Sequence, residues 1–430
     1  MPSEEAAPAM SRSAKVSLCS AIIAAVAMMA TFAAAALPIP LYADYQATLG
    51  LTDSDVSLTT VYYLAGVLVV LFMGGSLSDA LGRKPMVAAS LAFGALGCAL
   101  FAWLPNAAVL QAGRLVQGIS CGLTMSATSA FVLDCTSHYH RTFGTTITST
   151  GALIGLTVGS LGVAAFAMVS NEYALLYIGF IVAMIAIIAA LPLTHETVSH
   201  RITLRRAVRP LLHVPKSIRP VFPIAAGCYI AAWGIGIFFQ SLSTPAAVQY
   251  FGSTDPLVPA LILTLAMAPS AAGGPMSART TMKFSLVGGS VLMFASCIAL
   301  YSTLSDSLMI PFLVLCAVFA VACGIILSAS MHMLISYSDP SESASVVSLI
   351  NFAGYVGTTL LSVAMSGLAS ALSLAGVLAF ITVLGGLFMI PGTLCGLKML
   401  RKQQRPSSRV KQGNGNSPIS SIAQEMTDDS

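Results

Sequence analysis

Gly74-Gly75-Ser76-Leu77-Ser78-Asp79-Ala80-Leu81-Gly82-Arg83-Lys84-Pro85 is a short polar break between two long apolar runs, 56–77 before it and 86–104 after it. Each run is close to the roughly 20 apolar residues that cross a bilayer core as a helix. The break is so short that the chain must reverse tightly, which Gly82 permits, and it places two cations side by side where the second run begins. The same alternation extends outward to both ends of the 430 residues. The predicted spans are 18–41, 56–77, 86–104, 107–133, 144–169, 173–193, 221–244, 257–275, 284–304, 308–335, 346–369 and 374–397. The runs are long and lack the two-residue alternation of barrel strands, so an all-α membrane protein of twelve transmembrane helices is the expected fold. Composition agrees: 8% of residues are charged and 56% apolar, where a soluble domain carries about 25% charged residues.

Basic residues orient the spans. Arg12 and Lys15, then Arg83 and Lys84, Arg141, the six cations from Arg201 to Arg219, Arg279 and Lys283, and the tail from Lys398 fall in alternate loops. The intervening loops hold Asp44, Asp53, Asp55, Glu172, Asp255 and Asp306 and no Lys or Arg. This places both termini in the cytoplasm. The first apolar run is too long for the core of a cleavable signal and reads as a retained helix. Nine cysteines lie in or beside the spans without metal-like spacing and read as packing residues.

The polar stretch 194–220 splits the spans six and six, so the expected organisation is a cytoplasmic segment 1–16, a bundle 17–193, a central loop 194–220, a second bundle 221–398 and a disordered cytoplasmic tail 399–430. Internal repetition supports two pseudo-symmetric six-helix bundles. The break after span 2 is echoed after span 8 by Gly273-Gly274-Pro-Met-Ser-Ala278-Arg279 through Lys283, and Cys121-Gly122 to Thr128 in span 4 by Cys323-Gly324 to Ser330 in span 10. The offsets are 199 and 202 residues, so both echoes report one duplication. The second copy of the break carries Ala278 and Thr281 where the first has Asp79 and Gly82, which makes any latch there asymmetric.

The segment Gly75 to Pro85, with Asp79, Gly82, Arg83 and Lys84, resembles the signature loop between the second and third helices of the major facilitator superfamily. The resemblance implies two six-helix bundles that rock around a midplane site, a latch of the two halves at this loop, and Asp134 at the inner end of span 4 as the acidic partner of Arg83. Arg114-Leu-Val-Gln117-Gly118 in span 4 is similar to a second motif of that family. A guanidinium inside a span costs about 2.5 to 3.5 kcal/mol on insertion scales, so Arg114 needs a partner or a wet cavity. It reads either as a cavity residue that takes part in proton coupling or as a structural ion pair or snorkelling side chain. Gly151, Gly155 and Gly159 of span 5 repeat every four residues and stack on one helix face. The drug/proton antiporter branch has a Gly-Pro pair in this stretch, where this chain reads Gly159-Ser160.

Candidate cavity residues are the polar or aromatic groups within aliphatic spans: Tyr62, Gln117, Trp233, Gln240, His332, Asn351 and Tyr355, with Met331 beside His332. Each one taken singly is first an interhelical hydrogen-bonder, an interfacial anchor or filler. His332 is singled out because histidine is the residue type whose ordinary range reaches neutral pH. Two matches are dismissed. Gly118-Ile-Ser120-Cys-Gly122 has nucleophile-elbow spacing but lies within a helix, and His195 and His200 stand five apart, about 140° around a helix, too far to share a metal. No catalytic residue, metal or cofactor is expected.

The resemblance, which is nearest to the twelve-span drug/proton antiporter branch, implies secondary active transport: proton-coupled efflux of small apolar or amphipathic compounds, by a monomer, in a bacterial inner membrane, with no nucleic-acid partner. A proton-coupled importer of a metabolite shares every gross feature, and a non-transporting receptor or assembly factor is the third reading. No Asp or Glu lies near the middle of a span, so proton binding falls to Asp44, Asp134, His332 or a network at Arg114.

Overall fold

A computed structural model describes residues 12–73, 77–136, 141–198, 203, 214–338, 343–368 and 371–403. Helices dominate, and no strand occurs among the described residues. Eleven helices are long and apolar enough to cross a bilayer, and Leu374–Met389, the apolar part of the helix Leu374–Gln403, makes twelve. The helix ends bearing Arg83, Arg279, Lys283 and the central loop define a basic face. Those bearing Asp44, Asp55, Glu172, Asp255 and Asp306 define the opposite face.

The two halves repeat one packing scheme. Spans 1 and 5, 2 and 4, 3 and 4, 3 and 6, and 1 and 6 pack together, and so do the same pairs advanced by six: 7 and 11, 8 and 10, 9 and 10, 9 and 12, 7 and 12. The halves meet where span 2 lies on span 11 and span 5 on span 8, two contacts exchanged by the same shift. The repeated glycines do the same work in each copy. A Cβ on Gly122 would stand 2.9 Å from Val70 Cβ and 3.2 Å from the Val67 carbonyl, and one on Gly324 would stand 2.0 Å from the Ser270 carbonyl. In lipid, where burial of apolar surface gives little preference between helix and hydrocarbon, such close backbone approach is a main source of association.

Several expected boundaries move, each for a backbone reason. Span 1 is the helix Arg12–Ala36, and it stops before the expected Leu41 because Pro38 and Pro40 offer no amide N–H to continue it. Tyr42–Leu49 is a separate short helix, pinned by Tyr45, whose hydroxyl meets that of Tyr177 at 2.8 Å and whose burial raises its pKa. Span 4 extends past Leu133 as Ala107–Leu123, a π-helical turn Thr124–Thr128, and Ser129–Thr136. Span 7 runs on to Phe251 with Pro245 inside it. Span 8 is broken into Leu257–Met267, a 3-10 stretch Ala268–Ala272 and Gly273–Ala278, at Pro269. The other spans are helices Asp53–Phe72, Arg83–Trp103, Arg141–Ala167, Tyr173–Ala190, Met282–Ser305, Met309–Tyr337 and Ser343–Leu368. At the ends, helix begins inside the segment expected to be non-membrane, at Arg12, and continues into the tail as far as Gln403. The rest of the tail, 404–430, lies outside the described residues, as do residues 74–76, Gly75 among them, and His200.

Candidate functional site

On the basic face Gly82 adopts φ +103°, a conformation open to glycine, and thereby turns the chain directly into span 3. Gly82 has no side chain to cap the new helix, and Pro85 has no amide N–H. Glu196, from the start of the central loop, supplies the missing cap: its Oε1 accepts from the Arg83 amide at 3.0 Å and its Oε2 from the Lys84 amide at 3.1 Å. A carboxylate there also meets the positive end of the helix dipole. The Arg83 guanidinium bridges Asp79 at 2.7 Å and Asp134 at 3.0 Å and donates to the Ser78 hydroxyl, while Lys84 Nζ donates to the Thr194 carbonyl at 2.9 Å. Thr197 adds a hydroxyl to Asp134 at 2.9 Å. Among the described residues the partners of Arg83 all belong to the N-terminal half and the central loop, so here the loop ties span 2 to span 4 and to the linker, not to the other half. Glu196→Ala is expected to lower stability by about 1 kcal/mol, the usual worth of a helix cap. Thermal unfolding in detergent reads it, and an unchanged midpoint would remove Glu196 from this role.

Arg114 is 1% exposed and lies two turns into span 4 from the opposite face. Its position is explained by the end of span 1. Pro38 cannot donate to the Ala34 carbonyl, and the Ile39 amide turns to Ala36, so the carbonyls of Ala34 and Ala35 are left free at the negative end of a helix. Arg114 Nη1 donates to the Ala35 carbonyl at 2.7 Å and to Gln117 Oε1 at 3.0 Å, and Gln117 Nε2 donates to the Ala34 carbonyl at 2.9 Å. The guanidinium carbon stands 4.7 Å from the centre of the Tyr63 ring, a cation–π distance. Gly118 makes this approach possible, since a Cβ there would come within 2.0 Å of the Tyr63 carbonyl.

Tyr63 leads to the interface between the halves. It is buried in one cluster with Cys121 and Tyr355; Tyr355 of span 11 reaches across to Met125 Sδ of span 4 at 2.8 Å, and Trp233 of span 7 packs on Tyr355 with ring centres 5.8 Å apart. Met125 sits in the π-helical turn, where the wider coil displaces side chains from their ordinary register. Toward the opposite face the halves are closed by a row of small hydroxyls. Ser57 meets Ser366 at 3.1 Å, Ser241 donates to Thr60 at 2.7 Å, Thr244 donates to the Ile39 carbonyl at 2.7 Å, and Ser160 donates to the Ala260 carbonyl at 3.4 Å. Toward the basic face the described contacts between spans 2 and 11 are looser, with the Phe72 and Phe352 rings 6.3 Å apart. One side is held by hydrogen bonds and the other by apolar contact.

A family model described as Major Facilitator Superfamily matches residues 20–362, most of the chain. The chain belongs to this superfamily. It is therefore an integral, multi-pass membrane protein of a superfamily whose members transport small molecules without covalent change. Among curated relatives of this superfamily member is the quinolone resistance protein NorA of Staphylococcus aureus strain MRSA252, 25% identical over 220 residues, which is 50% of this chain and 55% of that protein. A second is the probable polyol transporter 3 of Arabidopsis thaliana, 29% identical over 112 residues, 25% of this chain and 22% of that one. The chain thus spans about half the length, or less, of these relatives. Among solved structures, the human organic anion transporter MFSD10 (TETRAN) superposes with a TM-score of 0.60 at 19% identity, covering 88% of this chain and 99% of that one, which attests the fold.

The superfamily fold brings some of the remaining candidates together and separates others. Trp233 and Tyr355 meet at the interface. Tyr62 does not. It is 38% exposed, while its neighbour Tyr63, 7% exposed, is the tyrosine that lies beside Arg114. Gln240 is buried in span 7, Asn351 and Met331 are half-buried, and His332 is exposed at the basic end of span 10, one turn below Ser328, which faces Gly274 of span 8. His332 is thus not enclosed between the halves. Gly151, Gly155 and Gly159 lie along span 1, where a Cβ would come 2.8 Å from Met28 Sδ, 2.5 Å from the Met29 carbonyl and 2.1 Å from the Ala33 carbonyl. Ser120 donates to the Ser90 carbonyl at 2.6 Å, a structural use of its hydroxyl. Participants absent from the candidates read in sequence include Tyr63, Met125 and Glu196. The signal for Glu196 was present: a helix starting Gly-Arg-Lys-Pro has two bare amides and needs an acceptor from elsewhere.

Proposed function

We propose that this transporter exports small apolar or amphipathic compounds in exchange for protons, by alternating access, as a monomer in a bacterial inner membrane with its basic face and both termini in the cytoplasm. The observation that carries the reading is the chemistry between the halves: Trp233, Tyr355 and Met125 meet there, and the nearest charge, Arg114, is already held by the Ala35 carbonyl of span 1 and by Gln117. Aromatic rings and a thioether adapt to varied apolar shapes, whereas a sugar or an anion requires several fixed polar or charged anchors. The partial likeness to a quinolone resistance protein supports the same substrate class. Closure by hydroxyls on the opposite face fits a state that loads from the basic side.

Import by proton symport uses the same architecture, so direction has to be measured. In proteoliposomes an amphipathic fluorescent dye is expected to move against its gradient when an opposing pH gradient is imposed, and to stop when an ionophore collapses that gradient. Dye flux indifferent to the pH gradient would reject antiport, and accumulation in the proton's own direction would establish import.

A further inference from the structure

The loop between spans 8 and 9 repeats the one that carries Arg83, but Met282 stands where the first copy has Arg83, and the arginine of this loop, Arg279, stands where the first copy has Ala80. Ala278 stands where the first copy has Asp79, and the exposed guanidinium of Arg279 makes no ion pair or hydrogen bond among the described residues. The hydroxyl of Thr280 beside it is already engaged with Ser285 at 2.6 Å. Immediately below Arg279 lies a cavity of about 720 Å³ walled by Phe284, Gly288, Val291, Leu292 and Ile325. It opens on the outside of the bundle, where Phe284 is 68% and Val291 64% exposed.

The dimensions suggest an occupant. The lining of span 9 runs from Phe284 to Ala295, which at 1.5 Å per residue is a depth of about 16 Å, half of a hydrocarbon core about 30 Å thick. The groove therefore matches one leaflet, with its only charged lining group at the end where the headgroups of that leaflet lie. We propose that this groove is a binding site for one anionic phospholipid of the leaflet on the basic face, its phosphate on Arg279 and one acyl chain against Gly288. A guanidinium pairs with phosphate through two parallel N–H donors. A zwitterionic lipid carries its own cation, which competes with Arg279 for the phosphate, so the unpaired arginine selects for net negative charge. Gly288 forms the floor: a Cβ there meets the Phe284 ring at 3.7 Å, ordinary contact, so a longer side chain fits and occupies the space an acyl chain would use.

The test is native mass spectrometry of the full chain in detergent, titrated with phosphatidylglycerol, with phosphatidylcholine and with free glycerol phosphate. The wild type is expected to bind phosphatidylglycerol about fivefold more tightly than phosphatidylcholine, the factor that corresponds to one basic side chain near a membrane surface. Arg279→Gln erases the preference, Arg279→Lys keeps most of it, and Gly288→Leu weakens both lipids while the protein still elutes as a single species. The proposal is overturned by equal affinity of the wild type for the two lipids, by an intact preference in Arg279→Gln, by lipid affinity unaltered in Gly288→Leu, or by glycerol phosphate binding as tightly as the lipid.

Discussion

Arg114→Ala is expected to abolish transport and to destabilise the folded chain by roughly 2 to 3 kcal/mol. Two opposing terms decide the sign. Removing a guanidinium from a membrane span recovers an insertion cost of about 2.5 to 3.5 kcal/mol. That cost is borne by the inserted but unpacked helix as well as by the native bundle, so it largely cancels in the folding equilibrium. The lost contacts do not cancel. They are a hydrogen bond to the Ala35 carbonyl, one to Gln117 and a desolvated cation–π contact with Tyr63, worth about 0.6 to 2 kcal/mol each in a membrane setting. Arg114→Lys separates charge from geometry. A lysine keeps the positive charge, but its compact ammonium lacks the planar fork and does not reproduce the stacking. It should therefore insert and fold while dye flux falls by at least tenfold. Wild-type flux in either variant would show that the arrangement at the end of span 1 is dispensable for transport.

The second large effect concerns the row of hydroxyls between the halves. Ser57 Oγ and Ser366 Oγ are 3.1 Å apart, close enough that a disulfide can replace the hydrogen bond with little backbone movement. In a Cys19→Ser background, the pair Ser57→Cys and Ser366→Cys should cross-link on mild oxidation, and cross-linked protein should lose essentially all dye flux. Reduction should restore it. If alternating access operates, spans 2 and 11 must part on this face once per cycle, and a covalent tie forbids that. Cross-linked protein that transports at the rate of the reduced form would mean that these spans never separate here, and the rocking description would fail. The buried cysteines, such as Cys98, Cys121 and Cys316, have no access to oxidant in the closed form and should not interfere.

Span number and the two-half duplication could be read from the chain because both depend on composition averaged over some twenty residues, and a few misplaced residues do not matter. The chain breaks were less legible. Pro38 and Pro40 were visible, but inside a run as apolar as 18–41 nothing marks whether the helix passes a proline, as it does at Pro245, or stops before it. The tyrosines show the same limit at the scale of one residue. Tyr62 and Tyr63 are chemically identical neighbours some 100° apart around a helix, and which one faces span 4 is fixed by the contact of Gly66 with the Leu115 carbonyl and of Gly118 with Tyr63, information held in a different span. The hydroxyl row was invisible for another reason. Serine and threonine are common in membrane helices and ordinarily bond to their own backbone one turn back, as Thr31 and Thr359 do, so no local feature distinguishes the few that reach across.

One feature of span 1 bears on how the cycle is driven. Arg114 is gripped by the peptide oxygen of Ala35 and the side-chain amide oxygen of Gln117, with Tyr63 above, where many buried arginines face a carboxylate. Peptide oxygens have no acid–base chemistry at any pH a cell encounters, so an arriving proton finds no base in this clasp to neutralise. Such a grip is released by displacement of the end of span 1 from span 4 and not by titration. Under the proton antiport proposed above, the proton must therefore exert its influence from elsewhere, by altering which helix packing is favoured.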